Sequence, residues 1–184
     1  RLITFIRKRF QENGINTVNF KKPKKPRFSF IDLFAGIGGF RIALQNWKGS
    51  CLFSSEWDES AKETYFRNFG EIPYGDINIF TSSEIPDKLV NKLIPDHDLL
   101  AAGFPCQPFS HAGVSARENL GQPHGFECKT QGTLFFSIER IVKIKKPKIL
   151  LLENVKNIVG HNKKHTFKII KKAIESLGYS FNWK

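Results

Sequence analysis

From Phe28 onward, apolar residues fall into short blocks that alternate between two spacings. Phe28-Ser-Phe-Ile-Asp-Leu33 predicts a first strand; after a glycine turn, Phe40, Ala43, Leu44 and Trp47 recur at helical steps and predict a helix with these four on its apolar face. Cys51–Ser55 predicts a second strand. Asp58 or Glu59 opens the next helix, with Ala61, Tyr65 and Phe69 as its stripe and Gly70 as its stop. A short third strand near Pro73–Gly75, a helix over Ile85–Leu93 and a fourth strand at His97–Ala102 follow. Leu134, Phe135, Ile138, Ile141 and Val142 then mark a helix and Lys148–Leu152 a fifth strand. Phe167, Ile170, Ala173, Ile174 and Leu177 mark a last helix that stops at Gly178, and Tyr179–Trp183 reads as the start of a sixth strand. This alternation predicts an α/β, doubly wound, mostly parallel sheet with strand order 3-2-1-4-5. Upstream, Leu2–Glu12 predicts a short helix stopped by Asn13-Gly14.

Composition narrows the picture. The chain has 184 residues, 40% of them hydrophobic and 13% aromatic, enough for a real core and too apolar for disorder. Its net charge is +12, and the residues before Phe28 hold nine basic side chains against Glu12 alone. Residues 1–27 therefore form a basic extension. Pro23 and Pro26 predict that Lys21–Arg27 is an extended, solvated linker whose charges also help hold a polyanion such as DNA. No apolar run reaches the ~20 residues of a spanning helix and no signal-peptide pattern opens the chain, so a cytoplasmic protein is expected. Cys51, Cys106 and Cys128 suit neither a disulfide framework nor a zinc site, and Cys51, inside a strand, is expected to be a buried small hydrophobe. The absence of methionine leads to the expectation that the chain is a piece of a longer one.

Chemistry concentrates where the predicted strands end. Phe34-Ala35-Gly36-Ile-Gly38-Gly39 lets backbone approach a ligand at a helix N-terminus. Arg41 stands where a dinucleotide fingerprint needs its third glycine, which disfavours a pyrophosphate. Glu56 follows about 20 residues after Gly36, the spacing of an acid that reaches ribose hydroxyls. The site thus suits a nucleoside without pyrophosphate, and S-adenosyl-L-methionine fits. Trp57 is a candidate adenine platform and Asp76, beside Ile77, a candidate acceptor from its amino group; a core tryptophan and a solvated turn acid are the plainer readings.

Pro105-Cys106-Gln107 ends the fourth strand, where the flanking prolines leave a thiolate facing a ligand. Glu153 directly follows the aliphatic run Ile149–Leu152, and partial burial there is expected to raise its pKa enough to hold a proton near neutrality. A helix-capping acid is the alternative, and Asn154 is an equal capping candidate. In the predicted strand order Cys106 and Glu153 share a crevice. Ser110–Gln131, too long for an ordinary connection, reads as a functional loop. His161 and His165 lack a third ligand nearby in sequence, and the lysines around Pro147 read as a charged helix end.

Phe30-Ile-Asp-Leu-Phe-Ala-Gly-Ile-Gly-Gly39, Gly103-Phe-Pro-Cys-Gln107 and Glu153-Asn-Val155, in this order across residues 28–184, resemble the signature motifs of the DNA (cytosine-5)-methyltransferases. The resemblance implies a Rossmann-like S-adenosylmethionine-dependent methyltransferase fold. It implies that Cys106 attacks C6 of a cytosine flipped out of double-stranded DNA, Glu153 protonates N3 and Asn154 holds the Pro105 loop. It implies a cofactor site lined by Phe34, Ala35, Gly36, Gly38, Gly39, Glu56, Trp57, Asp76, Ile77, Pro105 and Leu134. Ser110–Gln131 resembles the family's mobile catalytic loop, with Gly113, Gly121 and Gly125 for flexibility and Gln107, Ser110 and Gly113 as DNA contacts. No metal is implied.

Two departures stand out. Cys128 and Gln131 occupy positions where many members carry an acid and an arginine. The later Gln-Arg-x-Arg motif, the target-recognition region and the helix that closes the cofactor pocket are absent. The C-terminal part of the fold is thus expected to be missing, with target recognition left to a second chain or to the remaining half. The expected activity is cytosine-5 methylation of DNA within a bacterial restriction-modification system. The alternatives are a fragment or subunit that only binds S-adenosylmethionine or DNA, and a tRNA cytosine-5 methyltransferase.

Overall fold

The computed structural model describes residues 20–104, 134–160 and 165–184. The Leu2–Glu12 helix, the Ser110–Gln131 loop, Cys128 and His161 lie outside them. Two units are distinguished: Arg1–Ile77 with His97–Ala102 and Lys148–Leu151, and Asn78–Asp96 with Gly103–Pro147 and Leu152–Lys184.

The first unit is built on β1 (Phe28–Leu33), a strand paired along both edges whose last four residues are all buried. β1 pairs in parallel with β2 (Gly49–Ser55) and with β3 (Leu99–Gly103), and the sheet order is β2-β1-β3-β4, where β4 is Ile149–Glu153. A register shift between Phe30 and Ile31 interrupts the β1–β2 ladder. The expected third strand is a single parallel bridge from Tyr74 to Ser55, so the predicted order holds with that strand shortened to one residue. Cys51 is buried beside Phe30, Leu99 and Ala101, and burial pushes its thiol up to about 12.

Helix α1 (Gly39–Asn46) departs from its predicted face. Phe40 and Leu44 pack partly against the core cluster, but Ala43 is exposed and Trp47 is 79% exposed. The fully buried side chain is Arg41. Its guanidinium donates to the Tyr65 hydroxyl at 3.0 Å, to Glu71 at 2.9 Å and to Gln45 at 2.8 Å, and it lies 4.5 Å from the Phe69 ring centroid. Burial opposes the charge, but the Glu71 and Tyr65 contacts outweigh it and raise the guanidinium's pKa. A charge-neutralised arginine fills the place that periodicity assigned to hydrocarbon.

Helix α2 (Glu59–Phe69) follows the sequence closely: the Asp58 side chain accepts from the Ala61 amide at 2.7 Å, and Gly70, in the left-handed region, ends it. Tyr65, Phe66 and Phe69 are buried.

In the second unit a short helix that the sequence did not predict, α3 (Asn78–Thr81), comes first, and the expected Ile85–Leu93 helix follows as α4 (Asp87–Leu93), beginning after Pro86, which stands at its N-cap. Both lie against α5 (Leu134–Lys145). Buried Arg140 of α5 donates to the Thr81 carbonyl at 3.0 Å, to the Ile85 carbonyl and to Asp87 at 2.6 Å, closing the segment between the two helices. Helix α6 (His165–Ser176) buries Ile170 and Ile174. Tyr179–Trp183 is not a strand: no ladder partner meets it among the described residues. Side chains hold it instead, through Tyr179 on the Pro147 carbonyl at 2.5 Å and Phe181 and Trp183 edge-on to Phe167.

Candidate active site

The turn after β1 is forced into shape by its backbone. Phe34, Gly36 and Gly38 all have positive φ, at 56°, 52° and 96°. For a phenylalanine this is strained, and such strain persists only where the surroundings impose it. The Ala35 amide donates to the Ser55 carbonyl, the Gly38 amide to the Ala35 carbonyl, and Asn68 Nδ2 to the Ile37 carbonyl. A Cβ at Gly38 would lie 2.2 Å from Phe69 Cε2, so glycine lets α1 approach α2. At Gly36 and Gly39 a Cβ would meet nothing within 4 Å among the described residues, so with respect to these the other side of the turn is open. Among the described residues α1 starts there with no side-chain cap and no acid in its first turn, which leaves the amides ahead of Arg41 for an anionic or polar group.

Glu56, buried, sits against this turn. Its Oε2 accepts from the Gly36 amide at 2.8 Å, and its Oε1 from the Trp57 and Asp58 amides at 2.8 and 2.9 Å. Oε1 already takes two donors, but Oε2 takes one, so the pinned group retains acceptor capacity at Oε2. Trp57 is 75% exposed and Asp76 exposed, while Ile77 is buried. The bonds between Tyr74 and Ser54 and between Glu56 and Tyr74, both 2.8 Å, bring the Asp76 segment beside the end of β2. One unit thus assembles Phe34, Ala35, Gly36, Gly38, Gly39, Glu56, Trp57, Asp76 and Ile77.

In the other unit, Glu153 ends β4 and is exposed, which corrects the expected partial burial. The reason is the position of β4 at the sheet edge, where alternate residues face outward. Asn154 Nδ2 donates to the Phe104 carbonyl at 2.6 Å and its Oδ1 accepts from the Val155 amide at 2.9 Å. The residue before Pro105 is therefore tied to the residue after Glu153. Phe104 packs on Phe135, and Leu134, half-buried, opens α5. Pro105, Cys106, Gln107, Ser110 and Gly113 lie outside the described residues.

Sequence reasoning missed Asp32. It is fully buried on β1, neither carboxylate oxygen has a donor in good hydrogen-bond geometry among the described residues, and burial pushes its pKa up to about 8, with the charge and backbone amide of Arg41 opposing and Glu56 adding to the rise. The signal available was an acid inside an otherwise apolar strand.

Residues 28–184 match the family model described as C-5 cytosine-specific DNA methylase. The chain is 46% identical over 165 residues to a DNA-cytosine methyltransferase of Escherichia coli K12, covering 83% of this chain and 35% of the relative. It is 50% identical over 157 residues to the type II methyltransferase M.HpaII of Haemophilus parainfluenzae, covering 84% and 39%. It spans well under half of the length of these relatives. The solved S. pombe Dnmt2 methyltransferase shares the fold at TM-score 0.53 and 19% identity, over 79% of this chain and 40% of that one.

Proposed function

Because the chain belongs to the C-5 cytosine-specific DNA methylase family, we propose that it carries the cofactor-binding and catalytic half of a DNA (cytosine-5)-methyltransferase using S-adenosyl-L-methionine. The observation that carries this reading is the 2.6 Å bond from Asn154 to the Phe104 carbonyl, which joins the two strand exits that lead to Cys106 and Glu153. The open, uncapped glycine turn with Glu56 beside it fits a nucleoside bearing a charged amino-acid tail. Phe34, Gly36, Gly38, Glu56, Trp57, Asp76, Ile77, Pro105 and Leu134 are the proposed holders. S-adenosylmethionine supplies an electrophilic methyl group.

The residues divide the remaining work. The Cys106 thiolate adds to C6 of a cytosine extruded from the duplex, and Glu153 gives a proton to N3, so the electron pair of the 5,6 double bond is placed on C5. C5 takes the methyl group. Loss of the C5 proton to a base then restores the double bond as the Cys106–C6 bond breaks, and Glu153 takes its proton back. Asn154 positions the loop that carries the nucleophile. The names of the relatives favour a bacterial restriction-modification setting in the cytoplasm, with target recognition supplied by protein beyond these residues.

A duplex carrying 5-fluorocytosine at the target tests the reading, because fluorine cannot leave as the C5 proton does. The full-length protein is expected to form a covalent adduct that needs S-adenosylmethionine and resists denaturation, and Cys106→Ser to form none. Equal adduct from the Cys106→Ser protein overturns the assignment.

A further inference from the structure

Residues 20–27 carry five cations and no acid, and they are tied to the first unit along their length. The Phe20 amide donates to the Asn68 carbonyl at 2.9 Å and the Phe20 ring lies tilted against Phe69, with centroids 5.7 Å apart. Gln45 Nε2 donates to the Lys21 carbonyl at 3.3 Å, Lys22 pairs with Glu71 at 2.8 Å, and the Arg27 amide donates to the Lys48 carbonyl at 2.8 Å. Pro23 and Pro26 restrict the chain between these anchors. The segment is exposed as the sequence predicts, but it is a strap and not a free linker.

Lys22 is the strap cation whose charge is already answered, since Glu71 bridges it to Arg41. Lys21, Lys24, Lys25 and Arg27 are exposed, and so is Lys48, presented from a positive-φ turn (67°) beside Arg27. Among the described residues no carboxylate pairs with any of these five. Arg27 leads into the amino end of β1, and the glycine turn leaves its carboxyl end, a separation of roughly 20 Å at the ordinary rise of a strand. The strip is therefore a different surface from the proposed cofactor site.

We propose that Lys21, Lys24, Lys25, Arg27 and Lys48 form a second, sequence-independent site for the phosphate backbone of duplex DNA. This rests on the reading of the chain as a DNA methyltransferase for the choice of polyanion. The strip offers charge with little stacking: Phe20 is engaged with Phe69, Phe28 packs against the core cluster, and a single exposed aromatic, Trp47, stands beside Lys48 and not among the strap cations. Single strands are gripped by aromatic platforms, whereas duplex backbone needs only placed cations. The anchors remove the backbone entropy that an unfixed basic tail would lose on binding.

The test uses the 184-residue chain and a fluorescent 20-base-pair dA·dT duplex, which holds no cytosine and so tests no part of the methylation reading. Affinity is measured by anisotropy across salt concentrations. The quadruple variant Lys24→Gln, Lys25→Gln, Arg27→Gln, Lys48→Gln is expected to bind at least tenfold more weakly at low salt. Its log–log salt slope should be shallower by up to about 3.6, at roughly 0.9 for each of the four lost phosphate contacts. Lys22→Gln should leave the slope as it is. An unchanged slope in the quadruple variant, an equal loss in Lys22→Gln, or tighter binding to a single strand of the same length overturns the proposal. Failure of the fluorocytosine adduct would instead strike the methyltransferase reading.

Discussion

Asp32 places a carboxyl group in the centre of a sheet with no donor in good hydrogen-bond geometry among the described residues. Because its folded pKa of about 8 lies above the ordinary carboxyl value, the folded state binds the proton more tightly, and stability falls as pH rises from about 4 through 8. Asp32→Asn keeps the shape and removes the ionisation. It is expected to be more stable than the parent by about 4–5 kcal/mol at pH 8 and to differ little at pH 4, as read from urea unfolding at both pH values. Parallel pH profiles for the two proteins would contradict this. Gly38 makes the opposite kind of demand. Alanine there meets both a positive φ and the Phe69 ring, so Gly38→Ala should cost about 2–3 kcal/mol, while Gly39→Ala, with open space and ordinary φ, should cost little.

Elements with their own punctuation were legible. α2 has a capping aspartate, a buried stripe and a stop glycine, each a local signal, and its observed bounds are those the sequence implies. α1 has neither cap nor stop, and its buried arginine depends on Tyr65 and Glu71, 24 and 30 residues away. No local pattern carries that information. The Tyr179–Trp183 strand failed for a related reason: a strand needs a partner, and alternation describes only one side of the pair. At the strand exits, Asn154 supplies a donor to Phe104 that no neighbouring side chain replaces. Asn154→Ala is therefore expected to slow adduct formation about 10- to 100-fold while weakening S-adenosylmethionine binding much less, by under about fivefold, since of the proposed holders it displaces Pro105 and not the glycine turn. Adduct kinetics beside calorimetry separates the two effects.

At the scale of the molecule, the sequence made the strand order and the cofactor turn legible because those lie in ordered local motifs, and it located Glu153 at a strand end. It misjudged the burial of Glu153, which depends on what lies beyond β4. Ile149, Leu151 and Val155 are 57, 40 and 57% exposed along this edge. An edge strand with bare aliphatic side chains is a template for further pairing. The 184-residue chain is expected to self-associate in light scattering at tens of micromolar, and Leu151→Lys to reduce that association severalfold.

The one-residue bridge at Tyr74 governs a different property, the rate at which backbone protons trade with solvent. The ladder at Tyr74 is a single bridge to the end of β2, whereas β1 is laddered on both sides. Deuterium should enter the Tyr74 and Glu56 amides through a small local opening long before it reaches Ile31 or Leu33. A ligand that spans Glu56 and Asp76 would close that opening, so the rim of the sheet, and not its centre, would record the binding event.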